Sequence, residues 1–203
     1  MPTDFVVASA DVVAIHKATV EHFGSIVVAI RPDQWHLPTP CADWNVHELV
    51  NHVTGEDLWT APLLEGLTIA EVGDKFDGDV LGDDPVAAWT GACTEALVAA
   101  ASPGATDVTT HLSFGDFPGS EYLWQLAADH LIHGWDLASA VGADTTLAPE
   151  LVTAISAWFS PMEQAYRSAG VTGTRPPLAD DADPQTTLLA MFGRSAPYGR
   201  SAT

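Results

Sequence analysis

One stretch restricts the fold of this chain more than any other: Ser120 to Val141, an uninterrupted helical pattern that carries ionisable groups on its apolar side. Asp129, His133 and Asp136 stand at i, i+4 and i+7, so they share one face of a helix. That stripe merges with Leu126, Leu137 and Ala140, so it is expected to face inward. Burying a carboxylate without a partner is expensive. A fold that accepts this helix must supply compensating charge, and a metal at Asp129 and His133 would do so. The competing reading is an Asp–His pair on a helix surface, worth roughly 0.2–0.5 kcal/mol.

The rest of the chain also reads as helix. Phe5, Val12, Ile15, Phe23, Ile26 and Val27 recur at three- and four-residue steps and predict a helix over 4–30. A proline-rich loop follows. Asn45 with Glu48 resembles a capping box that opens a helix to about Glu65. Residues 67–83, rich in Gly and Asp, are expected to form an irregular surface connection. Asp84-Pro85 places a cap and an N1 proline before a helix ending near Ala101. Residues 107–119 favour a short hairpin or strap. Ser120 is expected to cap the long helix and Gly142 to end it, with a fifth helix over 149–168 and a short helical piece at 184–193. Long helices must bury apolar stripes against each other, so the expected fold class is all-α, a four-helix bundle with one extra C-terminal helix and a short β element before the fourth helix. The 203 residues fit one domain, 1–203, with a tail from about 170 that wraps or extends it.

Composition narrows the function. Asp and Glu number 27 against 7 Lys and Arg, a formal charge of −20, which repels phosphate backbones and anionic membranes. No nucleic-acid partner is expected. No apolar run approaches the ~18 residues of a membrane span. The N-terminus has acids where a signal peptide needs positive charge, and Cys41 and Cys93 form no CxxC motif. A reducing, cytoplasmic location is therefore expected.

A second histidine element lies on a separate amphipathic segment. His52 shares its helix face with Glu48, Glu56 and Trp59. His52, Asp129 and His133 together make a three-ligand N/O set that holds a divalent metal and leaves positions open. Read alone, His52 is better explained as a half-buried histidine on an amphipathic helix. Glu56, His130 and Asp136 are candidate proton carriers or supports behind the ligands, although a surface position is expected for His130. His16, His22, His36, His47 and His111 show no ligand spacing. No GxGxxG, GxxxxGK[ST], GxSxG or HExxH motif occurs.

Three segments, LPTPCADWNVHELVNHVTG (37–55), GDDPVAAW (82–89) and FGDFPGSEYLWQLAADHLIHGWDLASAVG (114–142), resemble the actinobacterial branch of the DinB-like superfamily. That branch is related to the N-terminal domain of mycothiol-dependent maleylpyruvate isomerase. The resemblance implies a four-helix bundle holding zinc, or in its place Ni, Fe or Mn, with ligands falling on His52, Asp129 and His133. It implies a low-molecular-weight thiol such as mycothiol as cosubstrate, a small-molecule electrophile as its partner in S-transfer or isomerisation, and a homodimer. Two departures stand out. Asp129 replaces the isomerase's Glu, and no arginine pair suits a dicarboxylate substrate. A non-catalytic metal-binding or scaffold module and a metal-dependent hydrolase are the competing functional readings.

Overall fold

The computed structural model describes residues 11–41 and 44–196. Asp11 caps the first helix, α1 (Val12–Val27), by accepting from the N–H groups of Val13 and Ala14. The part of the predicted helix at 4–10, including Phe5, lies outside the described residues. The Asn45–Glu48 capping box forms as read and starts α2 (Val46–Leu64). The Gly- and Asp-rich connection is mostly turns, but Thr68 and Glu71 build a second capping box around one helical turn, α3 (Ile69–Val72). Asp84 then caps α4 (Pro85–Ala100).

The predicted hairpin forms from β1 (Thr109–Leu112) and β2 (Gly115–Pro118), antiparallel, with Thr109 opposite Pro118. It leads straight into α5 (Gly119–Val141). Ser120 is not the cap expected of it: Pro118 occupies that position without a side-chain bond, and Ser120 already lies in the helix. Gly142 ends α5 in the left-handed conformation, φ 73°, which a glycine adopts without the Cβ clash. The fifth helix expected over 149–168 is two helices, α6 (Pro149–Phe159) and α7 (Glu163–Ser168). Pro161 separates them, because its ring removes a donor and crowds the preceding turn. The C-terminal piece is α8 (Pro184–Met191), capped by Asp183.

The fold is all-α, with a two-stranded hairpin as the β element among the described residues. α1, α2, α4 and α5 form the bundle: α1 lies along α5, α2 along α4, and α2–α5 and α1–α4 contacts close the ring. Two apolar clusters fill it. One joins Phe23, Leu49, Val50, Val53 and Trp89, and the other joins Leu123, Leu131, Ile155, Phe159 and Leu188 from α5, α6 and α8. α5 is common to both and is covered on almost every side, which is why its polar residues end up inside. α8 packs on α6, and the chain beyond it carries Arg194 back to α5.

Two close approaches depend on glycine. A Cβ on Gly119 would sit 1.9 Å from the Ala105 carbonyl oxygen, and one on Gly24 would sit 2.2 Å from the Trp89 ring. The Ala105 contact is backbone against backbone, so a rotamer change cannot relieve it. Gly119→Ala is expected to lower unfolding free energy by about 1–3 kcal/mol, measured by urea denaturation, while Gly55→Ala, mid-helix with open space around it, is expected to raise it by about 0.5–1 kcal/mol.

Candidate metal centre

α2 and α5 run side by side, and their facing surfaces bring together the three side chains selected by spacing. His52 Nε2 lies 3.3 Å from Asp129 Oδ2, and His133 Nε2 lies 3.3 Å from Asp129 Oδ1. The two imidazole rings meet edge to face, 5.3 Å between centroids. His52 and Asp129 are each 29% exposed at the side chain, and His133 is 8% exposed. The group therefore sits at the bundle rim with one side open.

The contacts are close but poorly made as hydrogen bonds. Asp129 Oδ2 is sealed from solvent and has no hydrogen-bond partner despite an imidazole nitrogen at 3.3 Å. Lone pairs that converge without donor alignment are what a shared cation requires. Separations near 3.3 Å match two ligands on one tetrahedral ion with bonds of about 2.0–2.1 Å. Two imidazole nitrogens and one carboxylate oxygen suit zinc, and also iron or nickel. The residues present fit the ion that the resemblance implies.

The surroundings fix these groups in place. His133 Nδ1 donates to Asp136 Oδ2 at 3.0 Å, which leaves Nε2 facing Asp129. Asp136 is fully buried and also accepts from Arg194, whose Nη2 lies 2.7 Å from Oδ2 and whose Nε lies 3.2 Å from both oxygens. Trp44 lies against the His52 ring, centroids 4.5 Å apart, and against His133 at 5.5 Å. Burial raises the pKa of the Asp129 carboxyl, but the adjacent His133 and His52 outweigh it and hold the group well below the usual carboxylate range. Burial opposes charge on His133 too, yet Asp129 and Asp136 lift it to about 9. Burial and then Asp129 push Glu56 above the ordinary carboxylate value.

Sequence reasoning misplaced one residue and missed two. His130, expected at the surface, is fully buried: Nδ1 donates to the Leu126 carbonyl at 2.8 Å, and Nε2 faces Asp57. The expectation failed because α5 is buried on the side 100° from the stripe as well. Asp57 and His16 also lie in the interior, close to His130. They come from three different helices, so no spacing links them. Burial, with His130 beside it, drives the His16 pKa down to about 3. Of the other histidines, His47 lies 3.8 Å from Asp79 and His111 pairs with Asp116 at 2.8 Å across the hairpin.

A cleft of about 520 Å³ opens beside the group. Trp44, His47, Glu48, Asn51, His52 and Asp79 are on its wall. Its carboxylates come from Glu48 and Asp79, and no lysine or arginine lines it among the described residues. A second cleft of about 330 Å³, at the far end of α5 near Gly142 and Gln185, has no ionisable group in its wall.

A four-helix bundle of α1, α2, α4 and α5 with a short hairpin before α5 is a DinB-like fold. Residues 17–138 match the family model of the mycothiol maleylpyruvate isomerase N-terminal domain, and the chain belongs to that family. It is 29% identical over 191 residues to the uncharacterized proteins MT0763 and Rv0738 of two Mycobacterium tuberculosis strains, covering 91% of this chain and 98% of each relative. Among solved structures it is similar to mycothiol-dependent maleylpyruvate isomerase, TM-score 0.60, and to a His-to-Ala mutant of that enzyme, TM-score 0.62. Both are 17% identical and cover 84% of this chain and 75% of theirs, a likeness of fold. Among the described residues no helix is long and apolar enough to cross a membrane.

Two consequences are measurable. Removing Arg194 leaves the buried Asp136 carboxylate paired to His133 alone, so Arg194→Ala is expected to destabilise the protein by about 3–5 kcal/mol in urea. Without metal, His133 adds stability that is complete below its ordinary 6.5 and is lost as pH rises through about 9. His16 has the opposite sign: its folded value lies below 6.5, so stability falls as pH drops from 6.5 toward about 3. The urea midpoint of chelator-treated protein should peak near pH 6.5, and His133→Gln should flatten the alkaline side.

Proposed function

We propose that the protein is a divalent-metal-dependent enzyme that uses a mycothiol-like thiol to transfer sulfur to, or isomerise, a small electrophile. The observation that supports this most is the His52–Asp129–His133 group at the bundle rim, with His52 on the wall of a cleft. The name of the family model and that of the structurally similar isomerase point the same way.

In this reading His52, Asp129 and His133 hold the ion, zinc first among the candidates. When bound, the ion supplies the positive charge that converts a weakly acidic thiol, pKa about 8.5, to its reactive thiolate at neutral pH. Asp136 accepts the Nδ1 proton of His133 and so keeps Nε2 directed inward. Arg194 holds Asp136, and Trp44 limits rotation of the His52 ring. Glu56 lies one helical turn from His52, and burial together with Asp129 raises its pKa, which suits it to proton transfer with the substrate. The cleft, with two carboxylates and, among the described residues, no lysine or arginine, favours a neutral or cationic electrophile over a dicarboxylate such as maleylpyruvate.

The test uses purified protein, zinc and a thiol–electrophile pair, mycothiol with a chlorinated nitroarene. Loss of thiol is expected to depend on added zinc, to drop at least about 100-fold in His52→Ala, and to fall below about pH 6 as protons compete for the ligands. Thiol loss that is indifferent to zinc and to His52→Ala would contradict the proposal. Zinc binding without turnover of any small thiol would leave a binding module, and turnover without thiol would mark a hydrolase.

A further inference from the structure

The bundle interior holds a second ligand cluster one layer inward from the rim. His16 of α1, Asp57 of α2 and His130 of α5 are all fully buried, and each offers a ligand atom within 4.8 Å of the other two. Each comes from a different helix, so the cluster ties together three of the four bundle helices.

Its hydrogen bonding is incomplete in a specific way. Both ring nitrogens of His16 are sealed from solvent without a partner. Asp57 Oδ1 is likewise sealed and without one. His130 Nδ1 donates to the Leu126 carbonyl, which can only accept. In a neutral ring that bond leaves a lone pair on Nε2, and Nε2 faces the Asp57 oxygens at 3.3 and 3.4 Å. A buried acceptor facing acceptors is unfavourable unless a proton or a cation lies between them. A proton on His130 would satisfy Asp57 but would leave both His16 nitrogens unmatched. A cation shared by all three satisfies His130, Asp57 and one nitrogen of His16 together.

We propose that His16, Asp57 and His130 form a second, interior metal site, selective for zinc or a similar divalent transition ion and structural in effect. The donor set of two imidazoles and one carboxylate suits such an ion. His130 and Asp57 already stand at the separation of two ligands on one tetrahedral ion, about 3.3 Å for bonds near 2.05 Å. His16 closes the set by a small ring movement. No solvent reaches the cluster, so the ion enters as the chain folds and holds α1, α2 and α5 together. This site stands independently of the rim group, with which it shares no ligand.

The test counts zinc by elemental analysis in full-length protein expressed in zinc-supplemented medium and gel-filtered. The expected result is two equivalents in wild type, one in His52→Ala and one in His16→Leu. If His16→Leu fails to fold, zinc-edge X-ray absorption of His52→Ala replaces it. Two imidazole ligands are expected there, whereas a residual rim site would retain only that of His133. One equivalent in wild type and none in His52→Ala would overturn the interior site and leave the rim site standing. One equivalent in wild type, kept in His52→Ala and lost in His16→Leu, would uphold the interior site and remove the rim site. A zinc count that His16→Leu leaves unchanged from wild type, or a single imidazole in His52→Ala, overturns the proposal.

Discussion

A carboxylate taken out of water has to find positive charge, and in this protein that requirement falls on Asp129. Its Oδ2 is sealed between two helices, with imidazoles on either side and no aligned donor. The neighbouring groups follow from that position. His133 is turned toward it by Asp136, Asp136 is held by Arg194, and Arg194 arrives from the segment after α8. The C-terminal segment thus braces the ligand group from behind, and His52 and the cleft lie on the other side. Exposed, the same carboxylate would be a minor surface charge; at the bundle rim it organises the residues around it.

Much of this was legible in the chain because the signals were local. The Asn45–Glu48 box, Asp84-Pro85 and Gly142 each act within a few residues, and each sits where its chemistry indicated. The Asp129–His133 pair was equally legible, since a four-residue step on one helix fixes a shared face. Signals that depend on tertiary packing were not legible. Pro161 splits what periodicity joined, and Ser120 yields its capping position to Pro118 because the hairpin sets where α5 begins. His130 is buried because neighbours cover α5 nearly all round, and an amphipathic reading assumes one wet face. His16 and Asp57 carry no spacing at all, and Arg194 meets Asp136 across 58 positions of chain, a pairing that only the tertiary fold makes.

The charge of −20 and the cleft are consistent with each other. A wall with Glu48 and Asp79 discourages anionic ligands. Asp129 is a short arm from α5, with one methylene between backbone and carboxylate. His52 and His133, both in contact with Trp44, close around that short arm. The fold is shared with the similar isomerase.

The central claim is that a single cation belongs between His52, Asp129 and His133. Its most direct test is anomalous diffraction at the zinc edge from crystals grown with zinc. The account requires a peak about 2 Å from His52 Nε2, His133 Nε2 and an Asp129 oxygen, with a coordination position open toward the cleft. A map without density there, the three side chains instead hydrogen-bonded to water, would contradict it.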